Sequence, residues 1–153
     1  MSEFDTKLVH GKIQNDNNTG AVNVPIYNSS TYIFPKVDAK IRWDYARSGN
    51  PTRSYLEDQV AELEGGYQGF AFSSGLAAIH SVFSIFSPGD HIIIGDTVYG
   101  GTFRLINQIF KKWNLEFTAV NTQDVAIVRN AIKENTKAIY FETFSNPLLR
   151  VTS

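Results

Sequence analysis

A parallel α/β sheet covered by helices on both faces is the fold predicted by this sequence, and three observations predict it. From Ser54 onward, short apolar stretches alternate with longer ones whose apolar residues recur every three or four positions. Small breakers mark the junctions, as at Gly65-Gly66 and Ser87-Pro88-Gly89-Asp90. The composition, 42% hydrophobic and 19% charged over 153 residues, suits one ordinary globular core.

Taken in order, Ser54-Tyr55-Leu56-Glu57 reads as a capping box that opens a helix over SYLEDQVAELE, closed by Gly65-Gly66. GFAF at 69–72 reads as a short buried strand. GLAAIHSVFSIF then places Leu76, Ile79, Val82, Phe83 and Phe86 at helical spacing. HIII at 91–94 is β-branched and apolar, a strand. TFRLINQIFKKW repeats Phe103, Ile106, Phe110 and Trp113 on one helical face, and LEFTAV returns to strand. DVAIVRNAIKE is a further helix, and AIYFE at 138–142 a further buried strand. Four short strands with three helices between them describe a parallel sheet.

The first ~50 residues differ. They are rich in Asn, Gly, Ser and Pro and have no sustained period, which is unusual inside a compact domain. They also contain Val22, Val24, Ile26, Tyr27, Tyr32, Ile33, Phe34, Trp43 and Tyr45, too much apolar surface for a solvated tail. The division expected is an irregular arm over 1–53 and an α/β domain over 54–153, with the arm packing on other material such as a second subunit.

Charge and motifs exclude several classes. A net charge of −1 with dispersed Lys and Arg leaves no electrostatic footprint for nucleic acid or an anionic membrane. There is no cysteine, hence no disulfide framework or thiol nucleophile. No apolar run approaches the ~20 residues that span a bilayer, and the cytoplasm is the expected location. His10, His80 and His91 have no metal-ligand spacing, and H-E-x-x-H, G-x-x-x-x-G-K-[ST] and G-x-S-x-G are all missing.

Ligands of open α/β sheets sit outside the carboxyl ends of the strands. Ser73-Ser74-Gly75-Leu76 opens directly into a helix there, where free N–H groups suit a phosphate; a plain strand-to-helix turn has the same appearance. Tyr99, in the glycine-flanked loop Asp96 to Thr102, is placed to stack on a planar ligand or to sit as a rim aromatic. Asn146, in Ser145-Asn146-Pro147, brings an amide to a strand end, although a turn alone accounts for Asn-Pro. In the arm, Tyr45 and Arg47 lie in YARSGNPT; Arg suits bidentate phosphate binding and is also a common surface residue. These residues by themselves reach an α/β domain with a turn able to bind phosphate and a tyrosine able to stack on a ring, and no reaction.

YARSGNPT, FSSGLAAI, DTVYGGTFRL and ETFSNPLLRVT, in that order, resemble the pyridoxal-phosphate enzymes of cysteine and methionine metabolism. This family includes cystathionine β-lyase, cystathionine γ-lyase, cystathionine γ-synthase, methionine γ-lyase and the O-acetylhomoserine sulfhydrylases. The resemblance runs from about Gly20 to the last residue. It implies the aspartate-aminotransferase-like (fold type I) architecture, present as an incomplete parallel-sheet cofactor domain preceded by an irregular N-terminal arm. It also implies pyridoxal 5'-phosphate as cofactor, a sulfur-containing amino acid as substrate and a homo-oligomer, dimer or tetramer.

Site roles follow from the same resemblance. Gly75 and Leu76, with Ser74 before them, would offer N–H groups to the cofactor phosphate; Tyr99 would stack on the ring and assist proton transfer as the catalytic residue; Asn146 would lie near the phenolic oxygen. Tyr45 and Arg47 would reach the phosphate held by a neighbouring subunit. The family's Schiff-base lysine and pyridinium aspartate follow the ETxxNP segment. None of the eight lysines, Lys7, Lys12, Lys36, Lys40, Lys111, Lys112, Lys133 and Lys137, stands in the Ser-x-Thr-Lys context expected.

The expectation is therefore the front part of a longer C–S lyase of the cystathionine β- or γ-lyase type, inactive alone, with a sheet edge left unpaired. A complementary downstream fragment is a further partner that this reading allows. Cystathionine γ-synthase or O-acetylhomoserine sulfhydrylase is the alternative chemistry, since the motifs present hold cofactor rather than leaving group. A noncatalytic phosphate-ligand binding or dimerisation module is the alternative class. An unrelated nucleotide binder is disfavoured by the missing G-x-G-x-x-G turn.

Overall fold

The computed structural model describes residues 4–11, 16 and 19–152, and the chain divides into two compact units, Met1–Ala71 and Phe72–Ser153. The first unit holds α1 (Phe4–His10) and α2 (Pro51–Leu63) with irregular chain between them. Lys7 pairs with Glu62 at 3.6 Å, and the Gln59 side-chain amide donates to the Leu8 carbonyl at 3.2 Å, so α1 is fastened to α2.

Helix α2 begins three residues before the predicted capping box. Asn50 is extended (φ −143°, ψ 135°), as a residue before proline prefers, and its side chain accepts from the Thr52 and Arg53 N–H groups. Pro51 then fits the first helical position, where its missing N–H costs nothing. Glu57 closes no capping box: its carboxylate accepts the Ala71 N–H at 3.0 Å and pairs with Arg53 Nε at 3.4 Å. Gly65 ends the helix at φ +64°, with the Gly66 N–H returning to the Ala61 carbonyl at 2.7 Å.

The stretch GFAF at 69–72 is not a strand, so the sheet has three strands among the described residues and not the four expected. A strand exists only through a neighbour's ladder, and here the Ala71 N–H is taken by Glu57. Gly69 also lies so close to the Glu57 carbonyl that a Cβ would overlap its oxygen.

The second unit runs α3 (Gly75–Phe83), β1 (His91–Gly95), α4 (Gly100–Gln108), a 3-10 turn (Phe110–Trp113), β2 (Glu116–Val120), α5 (Val125–Asn130) and β3 (Thr136–Tyr140). The single helix predicted over 102–113 is broken at Ile109 and stopped by Asn114, which takes a left-handed φ of 62°. Helix α5 is opened by Asp124, whose carboxylate accepts from Ala126 and Ile127. It ends at Asn130, before the predicted Glu134, because Thr136 Oγ1 captures the Lys133 N–H at 2.7 Å and turns the chain into β3.

The strands are parallel in the order β2-β1-β3. The chain steps from β1 to β2 in one direction and back past β1 to reach β3. Right-handed crossovers therefore put α4 and α5 on opposite faces. Ile92 and Ile94 of β1 meet Phe83, Leu105, Ile106, Phe110 and Leu115 in the main core. Phe83 stands edge-on to Phe110, Phe117 and Tyr140 at centroid distances of 5.5, 5.7 and 5.3 Å. Strands β2 and β3 are the sheet's edges, and Ile139 on β3 and Phe141 just after it are exposed.

Every residue of β1 is buried, including His91 at 0% exposure. Its Nδ1 lies 2.7 Å from Thr136 Oγ1 on β3 and its Nε2 2.8 Å from Thr118 Oγ1 on β2, so one ring bridges all three strands. Burial pulls this imidazole below its ordinary 6.5, Lys133 adds to the effect, and Glu116 opposes it. A lowered folded-state value means that the unfolded chain takes up the proton first. Stability is therefore complete above about 6.5 and falls as the pH drops from there towards the folded value. Urea midpoints of the chain should fall between about pH 7 and pH 5.5, and His91→Gln should remove most of that slope while costing about 1 kcal/mol at pH 7. An unchanged slope in the variant would assign the dependence to other groups.

Candidate functional site

The carboxyl ends of the three strands feed three loops that are tied to one another. Loop 96–99 leaves β1, residues 121–124 leave β2, and residues 141–152 leave β3. The last of these folds back on itself. Phe144 bridges Val151, the Ser145 N–H donates to the Arg150 carbonyl at 3.0 Å, and the Arg150 N–H donates to the buried Ser145 Oγ at 3.0 Å. Its tip contains a cis Asn146-Pro147 bond, and Asn146 is exposed. Thr152 Oγ1 lies 2.8 Å from Thr122 Oγ1, and the Gln123 side chain donates to the Val151 carbonyl at 2.9 Å, which straps this loop to the exit of β2.

Tyr99 is held at the exit of β1. Its N–H donates to Glu142 Oε1 at 2.8 Å, so a carboxylate just beyond β3 fixes the residue that opens α4. The residue is 47% exposed. It lies against the backbone of buried Gly101, where a Cβ would overlap Tyr99 Cε1. Farther along the same edge, Arg150 Nη1 approaches Asp96 Oδ2 at 4.0 Å.

Ser74 is the extended N-cap of α3, and its hydroxyl accepts the Ala77 N–H at 3.1 Å. The Ala78 N–H is satisfied by the Ser74 carbonyl. The first turn therefore leaves the Gly75 and Leu76 N–H groups for an outside acceptor. Gly75 faces open space, with nothing within 4 Å of where its Cβ would be. Two neutral N–H donors on a helix N-terminus form a donor set that suits a phosphate dianion, and no anionic side chain of the cap competes for them. A planar half-exposed ring and an amide stand on neighbouring loops of the same unit. The residues present fit a phosphorylated aromatic cofactor.

Tyr45 and Arg47 belong to the first unit. The Arg47 guanidinium lies over the Tyr45 ring, 4.9 Å from its centroid, and forms no ion pair among the described residues. Their loop is shaped from α2: Arg53 donates to the carbonyls of Ala46, Arg47 and Ser48 at 3.4, 3.5 and 3.0 Å, while Asn50 donates to the Tyr27 carbonyl at 2.9 Å. Sequence reasoning passed over Arg53, which has no signal in its spacing. It also passed over Glu142, which the sequence placed inside a strand and the structure places two residues beyond β3.

Because Gly101 gives the Tyr99 ring its seat, Gly101→Ala should displace that ring while leaving α4 helical; alanine is favoured over glycine inside a helix by about 1 kcal/mol. The expected result is a shift of the Tyr99 ring-proton resonances with the α4 amide pattern retained. Unmoved ring resonances would show that the seat yields.

Comparison with known proteins adds a family and relatives. The profile described as Cys/Met metabolism PLP-dependent enzyme matches residues 5–153. A cystathionine beta-lyase of Lactococcus lactis subsp. cremoris is 54% identical over 99% of the chain, and a cystathionine gamma-lyase of Bacillus subtilis is 49% identical over 96%. The crystal structure of cystathionine gamma-lyase from Lactobacillus plantarum complexed with L-serine superposes with a TM-score of 0.92 at 54% identity, over 99% of this chain and 39% of that one. The chain spans about two fifths of the curated relatives' length, 40% and 39% for the two lyases.

Proposed function

The chain belongs to the Cys/Met metabolism PLP-dependent enzyme family, and from that we propose that it supplies the phosphate- and ring-holding part of a cystathionine β- or γ-lyase acting on a sulfur-containing amino acid. The observation that carries this reading is the pairing, in one unit, of two free N–H groups at the start of α3 with a tyrosine pinned at the exit of β1. When bound, pyridoxal 5'-phosphate supplies the electron sink for loss of an α-proton and then of a β or γ sulfur substituent.

The remaining roles fall to side chains and amides of this chain. The Gly75 and Leu76 N–H groups bind the phosphate, with Ser74 holding the turn in shape by capping Ala77. Tyr99 covers the ring face and offers its hydroxyl as a proton-transfer group near the substrate. Asn146 presents its amide towards the phenolic oxygen. Tyr45 and Arg47, on the loop braced by Arg53, bind the phosphate in a second copy of the chain, which makes the working form a homo-oligomer. A cytoplasmic location goes with this reading; among the described residues no helix is long and apolar enough to cross a membrane.

The lysines support a holding role without a covalent one. Lys7 and Lys133 are engaged by Glu62 and Glu116, the others described are exposed, and Lys12 lies outside the described residues. Pyridoxal 5'-phosphate should bind the chain noncovalently, giving an induced dichroism band and no lysine adduct after borohydride. Gly75→Pro deletes one N–H donor at a position where the extended Ser74 already suits proline. It should weaken binding about tenfold, one charge-assisted hydrogen bond, with melting unchanged. Tyr99→Ala should abolish the band. Equal affinity in all three proteins would sink the assignment, and a stoichiometric borohydride-stable adduct would sink the noncovalent part.

A further inference from the structure

Resting on the pyridoxal-phosphate reading of this edge, we propose that Glu142 is the positioning residue of Tyr99, a carboxylate latch that carries β3's rigidity to the ring that covers the cofactor. The ring has no aromatic partner of its own among the described residues and is half exposed. What restrains it comes through the backbone. Tyr99 opens α4 without any side-chain cap, so the helix start lacks the hydroxyl or amide that usually secures it. The Glu142 carboxylate secures this start by another route, accepting from beyond another strand the N–H of the N-cap residue itself at 2.8 Å.

Three features make this bond a positioning device. Glu142 follows β3 by two residues, where the chain leaves a ladder registered to β1 through Ile94 and Tyr140, so its starting point is fixed by the sheet. A carboxylate also suits the positive end of α4, which strengthens a bond from an N–H there. Finally, the loop carrying Tyr99 is held at its other end: the Asp96 N–H donates to the Val120 carbonyl at 2.8 Å. With both ends of 96–99 fixed and Gly101 seating the ring, Tyr99 has one place to be. A stacking group needs this, because an error of about 0.5 Å already degrades a preorganised contact.

Two readouts on the full chain test the latch. Hydrogen exchange of the Tyr99 amide should quicken about tenfold in Glu142→Ala, stay within about threefold in Glu142→Gln, whose carbonyl still accepts, and quicken in Glu142→Asp, which is one methylene short. The dichroism induced by pyridoxal 5'-phosphate should fall in the Ala and Asp variants and survive in Gln, with all melting midpoints alike. Equal exchange in Ala and Gln overturns the latch, as does a latch lost in Ala with the dichroism undiminished. If the parent chain shows no induced dichroism, the cofactor reading fails, and the exchange pattern alone still upholds or overturns the hold of Glu142 on Tyr99. Should the Ala variant melt early, the contrast between Asp and Gln replaces it, and equal exchange in those two overturns the latch.

Discussion

The second unit depends on a five-residue strand that is buried along its whole length. Every residue from His91 to Gly95 is buried, so each backbone polar group must find a partner on one flank or the other, and β2 and β3 supply them. The polar side chain in that strand faces the same demand. His91 meets it by touching a threonine on each neighbour, which makes the imidazole a cross-strand rivet and fixes β1 between its flanks. Burial favours its neutral form, in which one ring nitrogen donates and the other accepts.

A fixed sheet has its consequence at the opposite end of the strands. The exits of β1 and β3 are joined by Glu142 and Tyr99, those of β2 and β3 by Thr122 and Thr152, and those of β1 and β2 by Asp96 and Val120. Loops joined in this way hold the groups they carry with the precision of the strands beneath them. The first unit reaches a similar end with different parts. The opening turn of α2, through Asn50 and Arg53, gathers backbone carbonyls of the arm and, with an antiparallel bridge between Thr31 and Tyr45, shapes the loop bearing Tyr45 and Arg47.

Much of this was legible in the residues. Short apolar runs and a helical period are local properties, and β1, β2, β3 and the helices between them occur in the predicted order, with β3 two residues earlier than its apolar run and α4 and α5 shorter than their periods. The turn at Ser74-Gly75 was legible for the same reason, since a capping serine before a glycine acts within four residues. Partner choice was not legible. Segment 69–72 has a strand's composition, but the Ala71 amide went to Glu57, 14 residues away, and no local pattern records such a competitor. Helix α2 likewise started from Asn50 and not from Ser54, because the cap that also reaches the Tyr27 carbonyl is held from both sides.

By itself the sequence determined the α/β class, the alternation of strands and helices after residue 90, and the family its motifs resemble. Each of these is set by chemistry within a few residues or by an ordered run of motifs. Only the tertiary structure decided that β1 lies between β2 and β3, that His91 is the polar link among them, that Gly101 seats the Tyr99 ring, and that Glu142 holds the Tyr99 backbone. Those contacts join residues that are neighbours only once the sheet has closed, and a hydrogen bond spanning 43 residues of sequence leaves no trace in composition or period.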